Sequence, residues 1–332
     1  MSTGRPERSV RLIADIGGTN VRFALLEGGE RRDQRTFTCA DFPDLASAVE
    51  HYLEAVDAAR GVRRPSEAAM AVAAPITGDY IRMTNHVWQF SAAESRRRLG
   101  LERLIFLNDF TALAMALRHL PPEDLQQVGG GRAVPDAAVA LIGPGTGLGV
   151  SGLIPCENHW IPLQGEGGHQ TLSVVKEREM EVLSILYRRF SHVSAERVLS
   201  GPGLVNLYHA LCVLEGRMPD DLAPEQITAR AIDGICRICM ETVSMFCSLL
   251  GTVAGNLVLM LGAVGGLYIG GGIVPRLGTH FARSNFRDRF EDKGRYADYL
   301  ADVPTFVIHT ELPAFIGLEH AFVAPGPRLE AA

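Results

Sequence analysis

One segment constrains this chain more than any other: an apolar run, two adjacent glycines and a second run of alternating residues. The apolar run is Leu12–Ile16 and the turn is Gly17–Asn20. Val21, Phe23 and Leu25 then lie two residues apart, which is the spacing of a strand and not of a helix. The segment predicts a β-hairpin whose turn presents backbone N–H groups to a phosphate with no Cβ in the way. An ordinary Gly-Gly hairpin is the alternative.

Other phosphate-binding motifs are excluded by their spacing. The only two lysines, Lys176 and Lys293, do not follow a glycine, so there is no Walker loop. The second glycine cluster, Gly143–Gly149, fails as a dinucleotide fingerprint because Leu148 or Val150 falls where the third glycine is needed. A strand-like run follows that cluster, so it too predicts a turn between strands. Basic chemistry in this protein must therefore depend on arginine.

Composition bounds the class of protein. The chain has 332 residues, is 47% hydrophobic and carries a net charge of −6, which argues against nucleic-acid binding. No signal peptide begins it, and its six scattered cysteines fit free thiols in a reducing cytoplasm. Cys236 and Cys239 form one C-x-x-C pair without a second pair, so structural burial is favoured over metal or redox use.

The segment Thr242–Pro275 has no charged residue and must be tested as a membrane span. Eight glycines and several polar side chains interrupt it. This mixture of glycine and polar residues favours a buried helix, predicted within Thr228–Leu250, followed by a central strand at Leu267–Ile269. We therefore expect no membrane association.

Strand-like and helix-patterned segments alternate along the chain, which predicts an α/β fold. A turn-rich passage between Pro121 and Pro135 indicates a domain boundary. Each half has its own glycine turn after a strand, so we expect a nucleotide in a cleft between two domains. The predicted small domain is 1–119 plus 310–332, and the predicted large domain is 120–309.

Three polar groups are candidates for chemistry. Asp109 follows an apolar strand and starts a helix, where it serves either as a catalytic base or as a plain N-cap. Glu166 and His169 lie among glycines, which suits a small ligand or an ordinary surface turn. Glu196 after Ser194 is typical of a helix start. A polyol would be held by such carboxylates and amides, each charge-assisted bond contributing about 1.5–3 kcal/mol.

These motifs resemble those of bacterial ATP-dependent glucokinases, in the hexokinase, actin and heat-shock ATPase superfamily. The resemblance is carried by nine motifs in order, nearly end to end: Asp15–Asn20, Pro75–Asp79, Met83–His86, Asn108–Ala112, Gly145–Val150, Gly165–His169, His192–Tyr208, Gly270–Arg276 and Glu291–Arg295. It implies two ribonuclease-H-like domains, a cytoplasmic location and a homodimer. No zinc is implied, because His169 is not followed by a cysteine cluster.

The resemblance also implies a role for each site residue. Asp109 is implied to deprotonate the 6-hydroxyl of glucose, and Asp15 is implied to organise Mg²⁺ through water. The sugar hydroxyls would be bound by Asn108, Glu166, His169 and Glu196. The phosphates and adenosine of ATP would be bound by Gly17, Gly18, Thr19, Asn20, Gly145, Thr146, Gly270, Gly271 and Gly272. The alternatives are a kinase for another hexose or donor, and an actin-like nucleotide switch that binds no sugar.

Overall fold

The computed structural model describes residues 10–62, 64–84, 86–322 and 329–330. Asn85, part of one family motif, and the segments 1–9 and 323–328 lie outside them. The strands are β1 Val10–Ile16, β2 Asn20–Glu27, β3 Glu30–Thr38, β4 Glu67–Val72, β5 Tyr80–Arg82, β6 Gln89–Ser91, β7 Arg103–Asn108, β8 Leu125–Val128, β9 Val139–Pro144, β10 Leu148–Cys156, β11 His159–Pro162, β12 Leu267–Ile269, β13 Thr305–Ile308 and β14 Leu329–Glu330.

The helices alternate with these strands, as the sequence predicts. They are α1 Leu45–Arg60, α2 Ala92–Arg98, α3 Asp109–Ala116, α4 Glu177–Tyr187, α5 Gly201–Leu214, α6 Pro224–Ile232, α7 Arg237–Leu261, α8 Ile273–Leu277, α9 Thr279–Ala282, α10 Phe286–Glu291, α11 Ala297–Ala301 and α12 Pro313–His320.

The chain forms two compact units. Unit 1 comprises residues 1–120, 156–164 and 311–332, and unit 2 comprises 121–155 and 165–310. The segment 156–164 therefore groups with unit 1, although the sequence-based division placed it in the large domain. The two-domain division itself stays a prediction.

The sheet of unit 1 has the strand order β14-β7-β4-β1-β2-β3, in which β1, β4 and β7 are mutually parallel. Alternate residues of β1 supply two apolar clusters. Leu12 packs with Tyr52 of α1, and Ile13 packs with Phe315 of α12. Both faces of the sheet are thus buried, which explains the nearly continuous apolar runs of its parallel strands.

The strands of unit 2 repeat this arrangement in the order β10-β9-β12-β13-β8. In both units a hairpin comes first, β1/β2 or β9/β10, and the next core strand pairs in parallel with the first hairpin strand. One continuous apolar cluster joins this sheet to helices α4, α5 and α7.

Helix α7 is long and apolar enough to cross a membrane by length and composition, but 78% of its most apolar window is buried. It packs against α10, α6 and α5 of the same unit, and β12 lies between β9 and β13. The predicted buried helix and central strand are confirmed. The predicted single helix Thr228–Leu250 is wrong, because α6 ends at Ile232 and Gly234, with φ +68°, breaks the chain before α7.

Candidate active site

The first glycine turn closes the predicted hairpin between β1 and β2. Gly17 N–H donates to Asn20 O at 3.0 Å, and a Cβ on Gly17 would approach that oxygen to 3.3 Å. Cys39 N–H donates to Thr19 O at 2.8 Å, which fixes the turn from outside. Thr19 is exposed and the turn's backbone is partly exposed, so its remaining N–H groups can be reached by an anion.

Asp15 faces Arg22 across the hairpin. The two residues pair in the β1/β2 register, and Arg22 Nη1 donates to Asp15 Oδ2 at 3.0 Å. Burial raises the pKa of Asp15, and Arg22 opposes that rise. Sequence reasoning missed Arg22, although the four-residue turn Gly17–Asn20 places position 22 opposite position 15.

The donor set at this turn suits Mg²⁺. Within the described residues, Asp15 Oδ1 has no hydrogen-bond partner, and no cluster of three His, Cys, Asp or Glu side chains could hold a metal. Mg²⁺ in phosphoryl-transfer sites is bound by one or two carboxylates, with waters and substrate phosphates as its other ligands. One carboxylate beside a phosphate-binding turn fits this pattern.

Asn108, and not Asp109, is the N-cap of the helix that follows β7. Asn108 is the N-cap of α3, and its Oδ1 accepts from Phe110 N at 2.9 Å and from Thr111 N at 3.2 Å. Asn108 Nδ2 donates to Ala74 O at 3.3 Å, which leaves its second N–H for another acceptor. Asp109 is therefore not the cap, and Phe110 N donates to its Oδ1 at 2.9 Å, which orients the carboxylate.

The glycine turn and Asp109 lie at the same edge of the sheet in unit 1. Ile16 is in register with Val72 of β4, and Val72 is in register with Asn108 of β7. The ends of β1 and β7 are therefore two strand spacings apart, about 10 Å. The carboxyl ends of parallel strands are where α/β proteins bind ligands.

The second glycine turn, in unit 2, is one residue shorter than the first. Gly145 N–H donates to Gly147 O, two residues along the chain, at 2.8 Å, whereas Gly17 N–H donates to Asn20 O, three residues along. Gly270 N–H donates to Ile142 O at 2.9 Å, closing the parallel pair just beyond β12. Gly271 has φ +76°, and a Cβ there would lie 2.3 Å from Pro144 O. The glycine run after β12 therefore lies directly against the end of β9.

Glu196 lies against this second turn. It is part of the 3-10 turn Ala195–Arg197, not a helix start, and its Oε2 accepts from Leu148 N at 2.9 Å. A Cβ on Gly147 would lie 2.6 Å from the same oxygen, so only glycine leaves room for the carboxylate. The pairing joins positions 48 residues apart, which no local pattern indicates.

The motif Gly165–His169 packs on β10, the strand that begins at Leu148. Its 3-10 turn, Gly167–His169, leaves Glu166 and His169 exposed, while Gly168 is buried with its Cβ position 2.1 Å from Leu148 O. This turn contacts the turn of Glu196.

The structure thus brings the predicted residues together as two groups, one in each unit. Unit 1 holds Asp15, Gly17, Gly18, Thr19, Asn20, Asn108 and Asp109 at one sheet edge. Unit 2 holds Gly145, Thr146, Glu166, His169, Glu196, Gly270, Gly271 and Gly272 around the start of β10 and the end of β12.

Comparison with known proteins identifies the family. The sequence model of the glucokinase family matches residues 12–324. Glucokinases of Aromatoleum aromaticum and Chromobacterium violaceum are each 51% identical over 319 residues, covering 96% of this chain and 96% and 90% of theirs. A solved glucokinase from an Antarctic psychrotroph has a TM-score of 0.83 at 36% identity, covering 93% of this chain and 97% of that one. The expected α/β fold of the actin-like ATPases is confirmed, and the chain belongs to the glucokinase family.

Proposed function

We propose that this protein transfers the γ-phosphoryl group of ATP to the 6-hydroxyl of glucose, with Asp109 as the general base. The observation that carries the proposal is that a glycine turn and an oriented carboxylate follow β1 and β7 at one sheet edge, where the strand ends are two strand spacings, about 10 Å, apart. That span accommodates a phosphoryl group on the turn and a hydroxyl hydrogen-bonded to the carboxylate.

Asp109 would accept the hydroxyl proton late in the transfer. The transition state of phosphoryl transfer is loose, so positioning matters more than basicity. Asn108 performs the capping of α3, and the N–H of Phe110 holds the Asp109 carboxylate in one orientation. Asp109 is thereby oriented, while the N-cap position itself is held by Asn108.

We assign the sugar hydroxyls to Asn108, Glu166, His169 and Glu196. Asn108 has one amide hydrogen left after bonding Ala74 O, and exposed Glu166 and His169 adjoin Glu196 through their contacting turns. A site that hydrogen-bonds each hydroxyl rejects epimers, because a buried partner would be left unpaired. Glucose is accordingly expected as the preferred hexose.

We assign the ATP phosphates to the turns at Gly17–Asn20 and Gly145–Thr146, and the adenosine to Gly270–Gly272. Asp15 would hold Mg²⁺ through water, and the ion when bound would neutralise phosphate charge. Burial raises the pKa of Asp15, and Arg22, which shares its carboxylate, opposes that rise and so favours the ionised form.

The decisive experiment measures glucose-dependent ADP release by Asp109→Asn. The asparagine keeps an acceptor for Phe110 N but lacks a basic oxygen, so kcat is expected to fall about 10²–10⁴-fold with little change in stability. Glu94→Gln is the matched control, since Glu94 is an exposed acid in the first turn of α2. Undiminished turnover by Asp109→Asn would remove Asp109 from the mechanism.

We further propose a cytoplasmic homodimer without nucleic-acid or membrane partners. The net charge of −6 and the absence of a long basic block support the exclusion of nucleic acid. Light scattering of the purified chain should give twice the 36.0 kDa mass of one copy. A monomer at micromolar concentration would contradict the dimer without affecting the assignment of the reaction.

A further inference from the structure

Two cysteines stand at the beginning of α7, the longest helix of unit 2. Cys236 is the N-cap, and its carbonyl accepts the first helical hydrogen bond from Met240 N at 3.0 Å. Cys239 N–H donates to Cys236 Sγ at 3.3 Å. Cys236 is partly exposed, whereas Cys239 is fully buried. The pair thus consists of one accessible sulfur and one protected sulfur on the same helical turn.

The chain around Cys236 forms a corner at the protein surface. Gly234 ends α6 by donating to Ala231 O, and the two residues that flank Cys236 are exposed, Ile235 by 72% and the Arg237 side chain by 70%. Cys236 is itself partly exposed at this corner, so it is more accessible to a small molecule than Cys239, which is 0% exposed.

The two thiols differ in acidity. Burial raises the pKa of Cys236, but hydrogen bonds from the Cys239 side chain and from the N–H groups of Cys239 and Ile238, together with the charge of Arg230, bring it below its usual value. Burial and the neighbouring Cys236 raise the pKa of Cys239 to about 12. The accessible sulfur is thus the better thiolate, as the positive end of a helix dipole also favours.

The first turn of a helix also has the reach that a disulfide requires. Positions three residues apart on a helix have Cα atoms about 5 Å apart, inside the range of about 4.4–6.8 Å found across disulfides. Cys236 Sγ already contacts the backbone nitrogen of Cys239. Disulfide formation would replace this contact with one between the two sulfurs.

We propose that Cys236 and Cys239 form a thiol–disulfide exchange site that accepts low-molecular-mass disulfides. The Cys236 thiolate attacks one sulfur of the disulfide, which forms a mixed disulfide and releases one thiolate. Cys239 then loses its proton to solvent and attacks Cys236 Sγ, which releases the second thiolate. The small disulfide gains two electrons, and the protein gains the Cys236–Cys239 bond.

A third cysteine, Cys212 of α5, interacts with this pair but has a different environment. It is 1% exposed, and burial raises the pKa of its thiol. Its neighbour Tyr208 packs beside it on the same helix. Cys212 can neither meet a small disulfide nor act as the first thiolate, so the exchange is confined to the residues of α7.

The experiment counts thiols in the full chain equilibrated with buffers of reduced and oxidised glutathione, followed by alkylation and peptide mapping. Two thiols should be lost together and should map to Cys236 and Cys239. Cys156→Ser is the matched control, because Cys156 is partly exposed without a partner cysteine, and it should leave this loss unchanged. The readout does not depend on kinase activity, so it fails or succeeds separately from the proposed function.

Variants separate the two steps. Cys239→Ala should retain a glutathione mixed disulfide on Cys236, and Cys236→Ser should form neither product. Because Cys239 is buried, its substitution can disturb the fold, and a second measurement therefore uses the unmodified protein. In that protein Cys236 should be alkylated faster than Cys156 at pH 7. Six thiols persisting in the most oxidising buffer, a bond mapped to Cys212, or slower alkylation of Cys236 would each overturn the proposal.

Discussion

Adding one methyl group at Gly168 tests how closely the turn Gly167–His169, which we assign to glucose binding, must approach β10. The Cβ of Gly168→Ala would lie 2.1 Å from Leu148 O and 3.0 Å from Leu148 Cβ. A carbon and a carbonyl oxygen normally approach no closer than about 3.3 Å. The turn and the strand must therefore separate by about 1.2 Å.

This displacement acts on residues assigned to glucose. The turn includes His169 and follows Glu166, and Leu148 N–H holds Glu196. Overpacking of this size costs about 1–3 kcal/mol of unfolding free energy. A misplacement of about 1 Å in a catalytic assembly lowers the rate on the order of 10²-fold.

Steady-state kinetics with varied glucose and urea unfolding measure both effects. Gly165→Ala is the control from the same motif, because Gly165 is exposed and has no atom within 4 Å of its Cβ position. We expect the control to match the unmodified protein and Gly168→Ala to lose kcat/KM for glucose. If Gly168→Ala retained both its kcat/KM and its urea midpoint, the close packing of this turn on β10 would be refuted.

Two further perturbations address the framework. Arg289→Met should lower the unfolding free energy by about 3–5 kcal/mol at pH 7, because it removes the ion-pair partner of the buried Glu179 carboxylate. Burial raises the pKa of Glu179, but Arg289 and the neighbouring hydrogen bonds outweigh burial and lower it. Urea titrations should therefore show this loss shrinking as the pH falls through the pKa of Glu179. An unchanged cost at low pH would contradict this linkage. Gly317→Ala places a Cβ 1.8 Å from Ala112 O and should lower the melting temperature by several degrees, whereas Gly78→Ala should not. Equal melting temperatures for these two variants would be inconsistent with the packing of α12 on α3.

Sequence reasoning succeeded where the signal is local. The hairpin around Gly17 follows from glycine and period-two spacing, and the central strand predicted at Leu267–Ile269 matches β12. Strand β3 is not predicted, because its exposed and partly buried positions alternate among mostly charged and polar residues, which give no apolar period. The break between α6 and α7 at Gly234 is not predicted, because the apolar pattern continues on both sides of it.

In the candidate site, too, the features with a local sequence signal are predictable and those that depend on tertiary contacts are not. Asp109 is predicted to follow a strand, and the strand order and register then explain why it lies at the same sheet edge as the turn after β1. The contact of Glu196 with Leu148 N is a matter of tertiary structure, since a 3-10 turn forms where local residues favour a helix start. Likewise Asn108, and not Asp109, caps α3, a choice that depends on backbone angles at two neighbouring positions.

The position of α12 in the chain has a consequence for biosynthesis. Phe315 and Leu318 cover the face of the first sheet that contains Ile13, yet they are translated after all of unit 2. A ribosome working at about 5–20 residues per second needs roughly 10–40 s for the intervening stretch. During that interval the nascent sheet exposes an apolar face, so chaperones that bind such faces have a defined time in which to act on this polypeptide.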